Sequence, residues 1–178
     1  MLILVVGPSG AGKDTLLDAA RTALAGDVRF RFVRRVITRP ASTAGEHHEA
    51  VTAAQFVRRR FALQWHAHGI DYGIPDDIAD DLERGRHVVA SVSRGVIAEA
   101  TARYAVRVIE VTAPAGILAA RLAARGREDA DDIRRRLART VSLPDYVPIQ
   151  TVVNDASLET GAARFIAALI RAAEDARR

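Results

Sequence analysis

Nine consecutive residues constrain this chain more than any others: Gly7-Pro8-Ser9-Gly10-Ala11-Gly12-Lys13-Asp14-Thr15. They follow the apolar run Leu2 to Val6 and precede a helical pattern that begins at Leu16. A strand, a glycine loop and a helix in that order wrap successive backbone N–H groups around a polyphosphate. The helix N-terminus adds its partial positive charge. The core Gly7-x4-Gly12-Lys13 is the phosphate-binding loop. Gly7, Ser9, Gly10, Ala11, Gly12 and Thr15 are its candidate nucleotide contacts, and Lys13 reaches the β- and γ-phosphates. Asp14 departs from the usual ending, where a Ser or Thr places its hydroxyl on Mg²⁺. A carboxylate is also a hard oxygen ligand, so Asp14 is the candidate metal ligand. Its charge equally suits a helix N-terminus, and both roles stay open.

At 178 residues the chain is long enough for one well-cored domain and short for two. An apolar share of 49% predicts a folded globule. No stretch of about 18 consecutive apolar residues exists, so no membrane span is expected. The apolar run before Gly7 is too short for a secretion signal and lacks a basic lead. Without cysteine there is no disulfide framework and no thiol chemistry. The need for a nucleoside triphosphate points to the cytoplasm. Net charge is +4, from 26 basic residues among which Lys13 is the sole lysine. A basic chain suits nucleic acid, but there is no helix-turn-helix, zinc-finger or RNP pattern. The charge fits small polyanions, and no nucleic-acid partner is expected. Oligomeric state has no signature in the sequence.

Patterning predicts strands at Leu2–Val6, Arg29–Val36, Leu63–His68, Asp71–Gly73, His87–Val92, Val106–Val111 and Ile149–Val153. Helices are expected at Lys13–Leu24, from Thr52 as N-cap through about Arg59, from Pro75 at a first helical position to Gly85, and at Gly95–Ala102. Further helices run from Pro114 to Ala124, over Asp129–Thr140, and over Ser157–Arg177 with Phe165, Ile166, Leu169 and Ile170 facing the core. Thr38–Glu46 and Pro144–Pro148 read as loops. Strands alternating with helices imply an α/β fold with a parallel sheet covered on both faces. Residues 38–73 break the alternation and read as a small insertion overhanging the phosphate loop.

The chain resembles the guanylate kinase family over nearly its full length. The matching residues are Gly7 to Lys13, Thr38-Arg39-Pro40 with Gly45-Glu46, Tyr72-Gly73, Arg121-Leu122-x-x-Arg125-Gly126 with Arg136-Leu137, and Val153-Asn154-Asp155. This resemblance implies a P-loop NTPase fold of the nucleoside monophosphate kinase type. It would form a single kinase domain over 1–178: a core at 1–37 and 74–178, a lid at about 121–140, and an acceptor-binding subdomain at about 38–73. Departures cluster on the acceptor side. Ala41-Ser42-Thr43 stands where a second phosphate-binding arginine is usual, and His48 where a tyrosine is usual. Gln64 replaces the glutamate that reads guanine, and Ser91-Val92-Ser93 replaces an Asp-x-Asp. Guanine presents N–H donors that want an anionic acceptor, and these replacements remove it.

The pattern is similar to an offshoot of that family, the ribose 1,5-bisphosphate phosphokinases of bacterial phosphonate breakdown. It shares Gly-Lys-Asp at the loop, the run Arg35 to Pro40, Gln64-Trp65-x-Ala67-His68-Gly69, Tyr72-Gly73-Ile74-Pro75, and Ser93-Arg94. The resemblance implies transfer of the ATP γ-phosphoryl group, with Mg²⁺, to the 1-phosphate of ribose 1,5-bisphosphate, giving 5-phosphoribosyl 1-diphosphate. It places Arg39, His48, Gln64, Tyr72, Ser93 and Arg94 on the sugar substrate. Lys13, Arg39, Arg125 and Arg136 carry catalysis, with Arg121 and Asn154 on the nucleotide. Alternatives stay open for several of these. Arg94 also suits a carboxylate pair, Tyr72 a packed strand aromatic, and Asn154 a turn before the last helix. His47, His48, His66 and His68 suit polar contacts to phosphate or ribose better than a zinc site, for want of acidic or Cys ligands. Two further functions compete: a guanylate or other nucleoside monophosphate kinase, and a non-catalytic interaction module.

Overall fold

The computed structural model describes residues 1–39, 48–124 and 142–176. Strand β1 (Leu2–Val6) is buried at every position. A strand apolar on both faces belongs in the middle of a parallel sheet covered on both sides. Its neighbours are β7 (His87–Ser91) and β8 (Val106–Thr112), both parallel to it, with Leu4 opposite Ala90 on one side and Val108 on the other. The strands β2 (Phe30–Phe32) and β9 (Ile149–Val153) complete the order β2-β7-β1-β8-β9, again in parallel.

Alternation along β1 divides the core in two. Ile3 and Val5 pack with Val89, Ile109 and Val111 under α1 (Lys13–Ala23) and α6 (Leu158–Asp175), which supply Leu16, Ala20, Phe165 and Leu169. Leu2, Leu4 and Val6 face the other way. They pack with Ile78 of α3 (Ile78–Glu83) and with Ile97 and Ala100 of α4 (Ile97–Arg103). Each fully buried Leu, Ile or Phe stabilises the fold by about 1.5–3 kcal/mol. Ser157 caps α6 by accepting from the Thr160 N–H at 3.2 Å, a contact of the kind worth about 1 kcal/mol. The helix α5 (Ala115–Ala124) follows β8 directly.

A second sheet has the order β4-β3-β6-β5. It comprises β3 (Arg35–Ile37), β4 (His48–Ala50), β5 (Phe61–Ala67) and β6 (Ile70–Pro75). The β5–β6 hairpin turns at His68 and Gly69, both with positive φ, at 54° and 73°, as a tight hairpin turn requires. Leu63 and Ile74 enter the same core cluster as Leu2 and Leu4, so one face of this sheet lies on the main sheet. Its outer face carries a small core of its own. Phe56 of α2 (Ala53–Phe56) stacks on Phe61 at 4.4 Å between ring centroids.

Three expectations differ from what is found. The strand expected at Arg29–Val36 is two strands in two sheets. Val33 still donates to the Val89 carbonyl at 2.9 Å, and the chain then leaves the main sheet through exposed Arg34. Pro75 ends β6 opposite Phe61 and does not open a helix; α3 starts at Ile78. A proline is tolerated at a strand end as readily as in a first helical turn. The short helix after Thr52 has the expected N-cap, a capping box with Gln55, but stops at Phe56 before the arginine run. The expected helix at 129–140 lies outside the described residues.

Candidate active site

All main-sheet strands run parallel, so the segments that follow them meet at one edge. There the phosphate loop joins β1 to α1. Gly7, Gly10 and Gly12 have φ of 147°, 84° and 88°, values that L side chains adopt only under strain. Gly7 is fixed by a second constraint, because a Cβ there would lie 2.0 Å from the Val111 carbonyl oxygen on β8. The Lys13 ammonium folds back over the loop and donates to the carbonyls of Gly7 at 2.8 Å and Pro8 at 3.0 Å. It therefore sits across the mouth of the loop. Ser9 and Ala11 lie within the same turn, and Thr15 enters the first turn of α1.

Two side chains from distant elements brace this loop. Arg121 of α5 donates to the Gly10 carbonyl at 3.4 Å. Asn154, buried just after β9, donates through Nδ2 to the Ala11 carbonyl at 2.8 Å. Its amide is wedged between two glycines. A Cβ on Gly12 would come within 2.5 Å of Nδ2, and one on Gly161 within 2.4 Å of Oδ1. Asn154 thus shapes the loop from behind. The pairing of Asn154 with Gly161 escaped the sequence reading, although their Asn-x6-Gly spacing across a helix start was there to be seen.

Asp14 is half-exposed and ion-paired to Arg35 of β3, with Nη2 to Oδ1 at 3.0 Å. Sequence reasoning passed over Arg35 as part of a motif run. The available signal was an arginine two residues before buried Ile37, which strand alternation turns to the same inward face. Register agrees: Ile37 lies opposite Tyr72, and Tyr72 lies opposite Trp65. Trp65 and Tyr72 stack with ring planes 3° apart and centroids 5.2 Å apart. Arg35, Tyr72, Trp65 and His48, which lies opposite Arg35, therefore share the face turned to the phosphate loop.

Gln64 is not brought to that face. It is exposed, lies opposite Gly73, and shares the outer face with His66, whose Nδ1 is 2.7 Å from an Asp71 carboxylate oxygen. Arg94 follows β7 and turns onto β8, pairing with Glu110 at 2.8 Å. The Ser93 hydroxyl accepts from the Gly95 N–H at 3.3 Å and so caps the short turn there. Arg39 is half-buried beyond the end of β3, where Thr38 fastens the chain to β6 through Asp71. Arg125 and Arg136, and with them most of the expected lid, lie outside the described residues. Among the described residues no group of three or more His, Asp or Glu could hold a metal ion, and no helix is long and apolar enough to cross a membrane.

No family model matches the chain. It is 54% identical over 171 residues to a bifunctional ribose 1,5-bisphosphokinase-thymidine phosphorylase of Cupriavidus necator, a match covering 93% of this chain and 28% of that protein. The chain thus spans little more than a quarter of that relative's length. It is 49% identical over 170 residues to a ribose 1,5-bisphosphate phosphokinase of Acidiphilium cryptum, covering 96% of this chain and 92% of the relative. Among solved structures, guanylate kinase from Anaplasma phagocytophilum superposes with a TM-score of 0.67 at 17% identity, over 96% of this chain and 85% of that one. At that identity the likeness speaks for the fold, a P-loop α/β kinase fold.

Proposed function

The chain belongs to the ribose 1,5-bisphosphate phosphokinase family, and from that premise we propose that it transfers the γ-phosphoryl group of ATP to the 1-phosphate of ribose 1,5-bisphosphate. The products are 5-phosphoribosyl 1-diphosphate and ADP. One observation carries this reading: an intact phosphate loop faces a strand that presents arginine, with Arg35 already bonded to the residue after Lys13. Two polyanions that must meet in line need such a concentration of fixed cations.

The attacking atom is an oxygen of the 1-phosphate. It forms a bond to the γ-phosphorus while the bond from that phosphorus to the β–γ bridging oxygen breaks, and ADP leaves with the electron pair. A phosphate oxygen is already ionised near neutral pH, so no general base is needed. Lys13 exchanges its bonds to the Gly7 and Pro8 carbonyls for bonds to the β- and γ-phosphates. The loop N–H groups hold the polyphosphate, and Arg121 and Asn154 keep the loop in shape. Arg39 grips the acceptor phosphate through its planar fork, while Arg125 and Arg136 supply the lid charge that grows important as negative charge spreads in the transition state.

Mg²⁺ fits this donor set, because it is ordinarily held by one or two carboxylates together with substrate phosphates. Asp14 would hold it, and when bound it neutralises charge on the β- and γ-oxygens. Dependence on ATP assigns the protein to the cytoplasm. Against the interaction-module alternative stand the intact glycines and Lys13.

The deciding experiment is an ATP-consumption assay with ribose 1,5-bisphosphate beside GMP, AMP and dGMP. The expected kcat/KM for GMP is at least about a hundredfold lower, because a site without the anionic partners guanine requires discriminates by that much. Efficient GMP phosphorylation would make the chain a guanylate kinase with atypical contacts. ATP binding without turnover of any acceptor would favour the interaction module.

A further inference from the structure

A cleft open to solvent lies beside the phosphate loop, between α1 and the place where the two sheets part. Asp14 and Leu17 form one wall, Phe32 and Val33 another, with Arg35 and Ser91 completing it. Two of these residues are poised for a ligand. The Ser91 hydroxyl is buried, with the residue 4% exposed, and has no hydrogen-bond partner among the described residues. A buried hydroxyl left in that state is costly, and a ligand oxygen would relieve it. Arg35 is 15% exposed and donates through Nη2 alone to one Asp14 oxygen at 3.0 Å. The rest of its guanidinium fork stays available for a second acceptor.

We propose that Arg35 and Ser91 form a phosphate subsite for the end of the sugar that does not receive the new phosphoryl group. This inference rests on the proposed function, in which the sugar bears a phosphate at each end. Its bond to Asp14, in the first turn of α1, places Arg35 beside the phosphate loop. A dianionic phosphate offers the guanidinium a bidentate partner and displaces the single carboxylate oxygen now bound to it. Ser91 donates its hydroxyl proton to a second phosphate oxygen. The remaining lining sets apolar Leu17, Phe32, Val33 and Val89 beside the Asp18–Arg21 ion pair, which joins at 3.0 Å. The subsite selects acceptors with a second phosphate over those without one.

The test uses ribose 5-phosphate as a probe, titrated calorimetrically into the purified protein without nucleotide. Arg35→Ala should weaken its binding at least about tenfold, in keeping with the loss of a charged hydrogen bond. Arg35→Lys should weaken it less, and Ser91→Ala by a smaller factor still. Thermal melts of each variant separate recognition from folding. In turnover, Arg35→Ala should erase the preference for ribose 1,5-bisphosphate over ribose 1-phosphate. Wild-type affinity for ribose 5-phosphate in Arg35→Ala, or an unchanged preference between the two acceptors, overturns the subsite and leaves the proposed function standing. Arg35-dependent binding of ribose 5-phosphate by a protein that cannot phosphorylate ribose 1,5-bisphosphate upholds the subsite and overturns the function.

Discussion

The glycine that ends β1 and the glycine near the end of β6 press against different kinds of neighbour. A Cβ on Gly7 would meet the backbone carbonyl of Val111, in the adjacent strand of the five-stranded sheet. A Cβ on Gly73, in the four-stranded sheet, would meet the ring of Phe61 at 2.3 Å. A ring can rotate or be replaced, whereas a backbone carbonyl cannot move without its strand. The same contrast runs through both regions. The donor side is shaped by contacts to main chain, with Asn154 bonded to a carbonyl and Lys13 to two more. The acceptor side is shaped by side chains on strand faces, such as Trp65 on Tyr72 and Arg35 on Asp14. A family can therefore change its acceptor by exchanging side chains on one sheet while the phosphate loop stays as it is.

Removing Lys13 tests the donor side most severely. Lys13→Ala should lower kcat by about a thousandfold, the scale of losing one preorganised electrostatic contact to the transferring group. The far-ultraviolet circular dichroism should stay unchanged. Near-wild-type turnover would mean that the loop is not the centre of charge stabilisation.

The two glycines give the next largest effect and bear directly on the contrast. Gly7→Ala combines strained backbone with a clash against Val111 and should cost about 3 kcal/mol in denaturant unfolding. Gly73→Ala should cost about 1 kcal/mol, and shortening its neighbour with Phe61→Leu should restore part of that loss. Equal costs for the two glycines, or no rescue by Phe61→Leu, would erase the distinction between main-chain and side-chain control.

Acid gives the smallest effect. Hydrogen bonds from Arg29 hold the Asp27 carboxyl at about 2, below its ordinary 3.8. Arg59 likewise lowers Glu49 below its ordinary 4.5. A carboxyl depressed in the folded state contributes stability above its unfolded value and loses it as pH falls through the folded value. The Asp27 contribution is therefore lost between about 3.8 and about 2, and the Glu49 contribution begins to fade on descending from 4.5. Hydrogen exchange should show β4, which carries Glu49, losing protection at higher pH than β2, which follows Asp27. Loss of both at the same pH would show that the two sheets open as one unit.

The same physical difference explains what could be read in advance. Main-chain constraints leave residue types that announce themselves. The glycines of the phosphate loop and the buried apolar strand before them were legible, and β1, β9 and α6 fall where patterning puts them. The acceptor side was less so. No glycine or proline marks the passage from β2 to β3, because alternation continues across it. The three residues of β4 are too few to show a period. Gln64 and Tyr72 both belong to a motif, but only the register separates them onto opposite faces. Arg35 looked like one of many arginines until its partner Asp14 was seen.

Asn154 reaches back across 143 residues to hold the Ala11 carbonyl, and this has a consequence for how the protein is made. On a ribosome the phosphate loop is made well before the amide that braces it, 143 residues later. At about 5–20 residues per second the interval is roughly 7 to 29 s. Throughout it the nascent chain has strand, glycines and lysine in order but lacks the clamp behind Gly12. The phosphate loop should therefore become competent for nucleotide only once α6 has docked with Gly161 in place. A premature stop anywhere before residue 154 should yield a product that carries the whole phosphate-loop sequence and still binds nucleotide poorly.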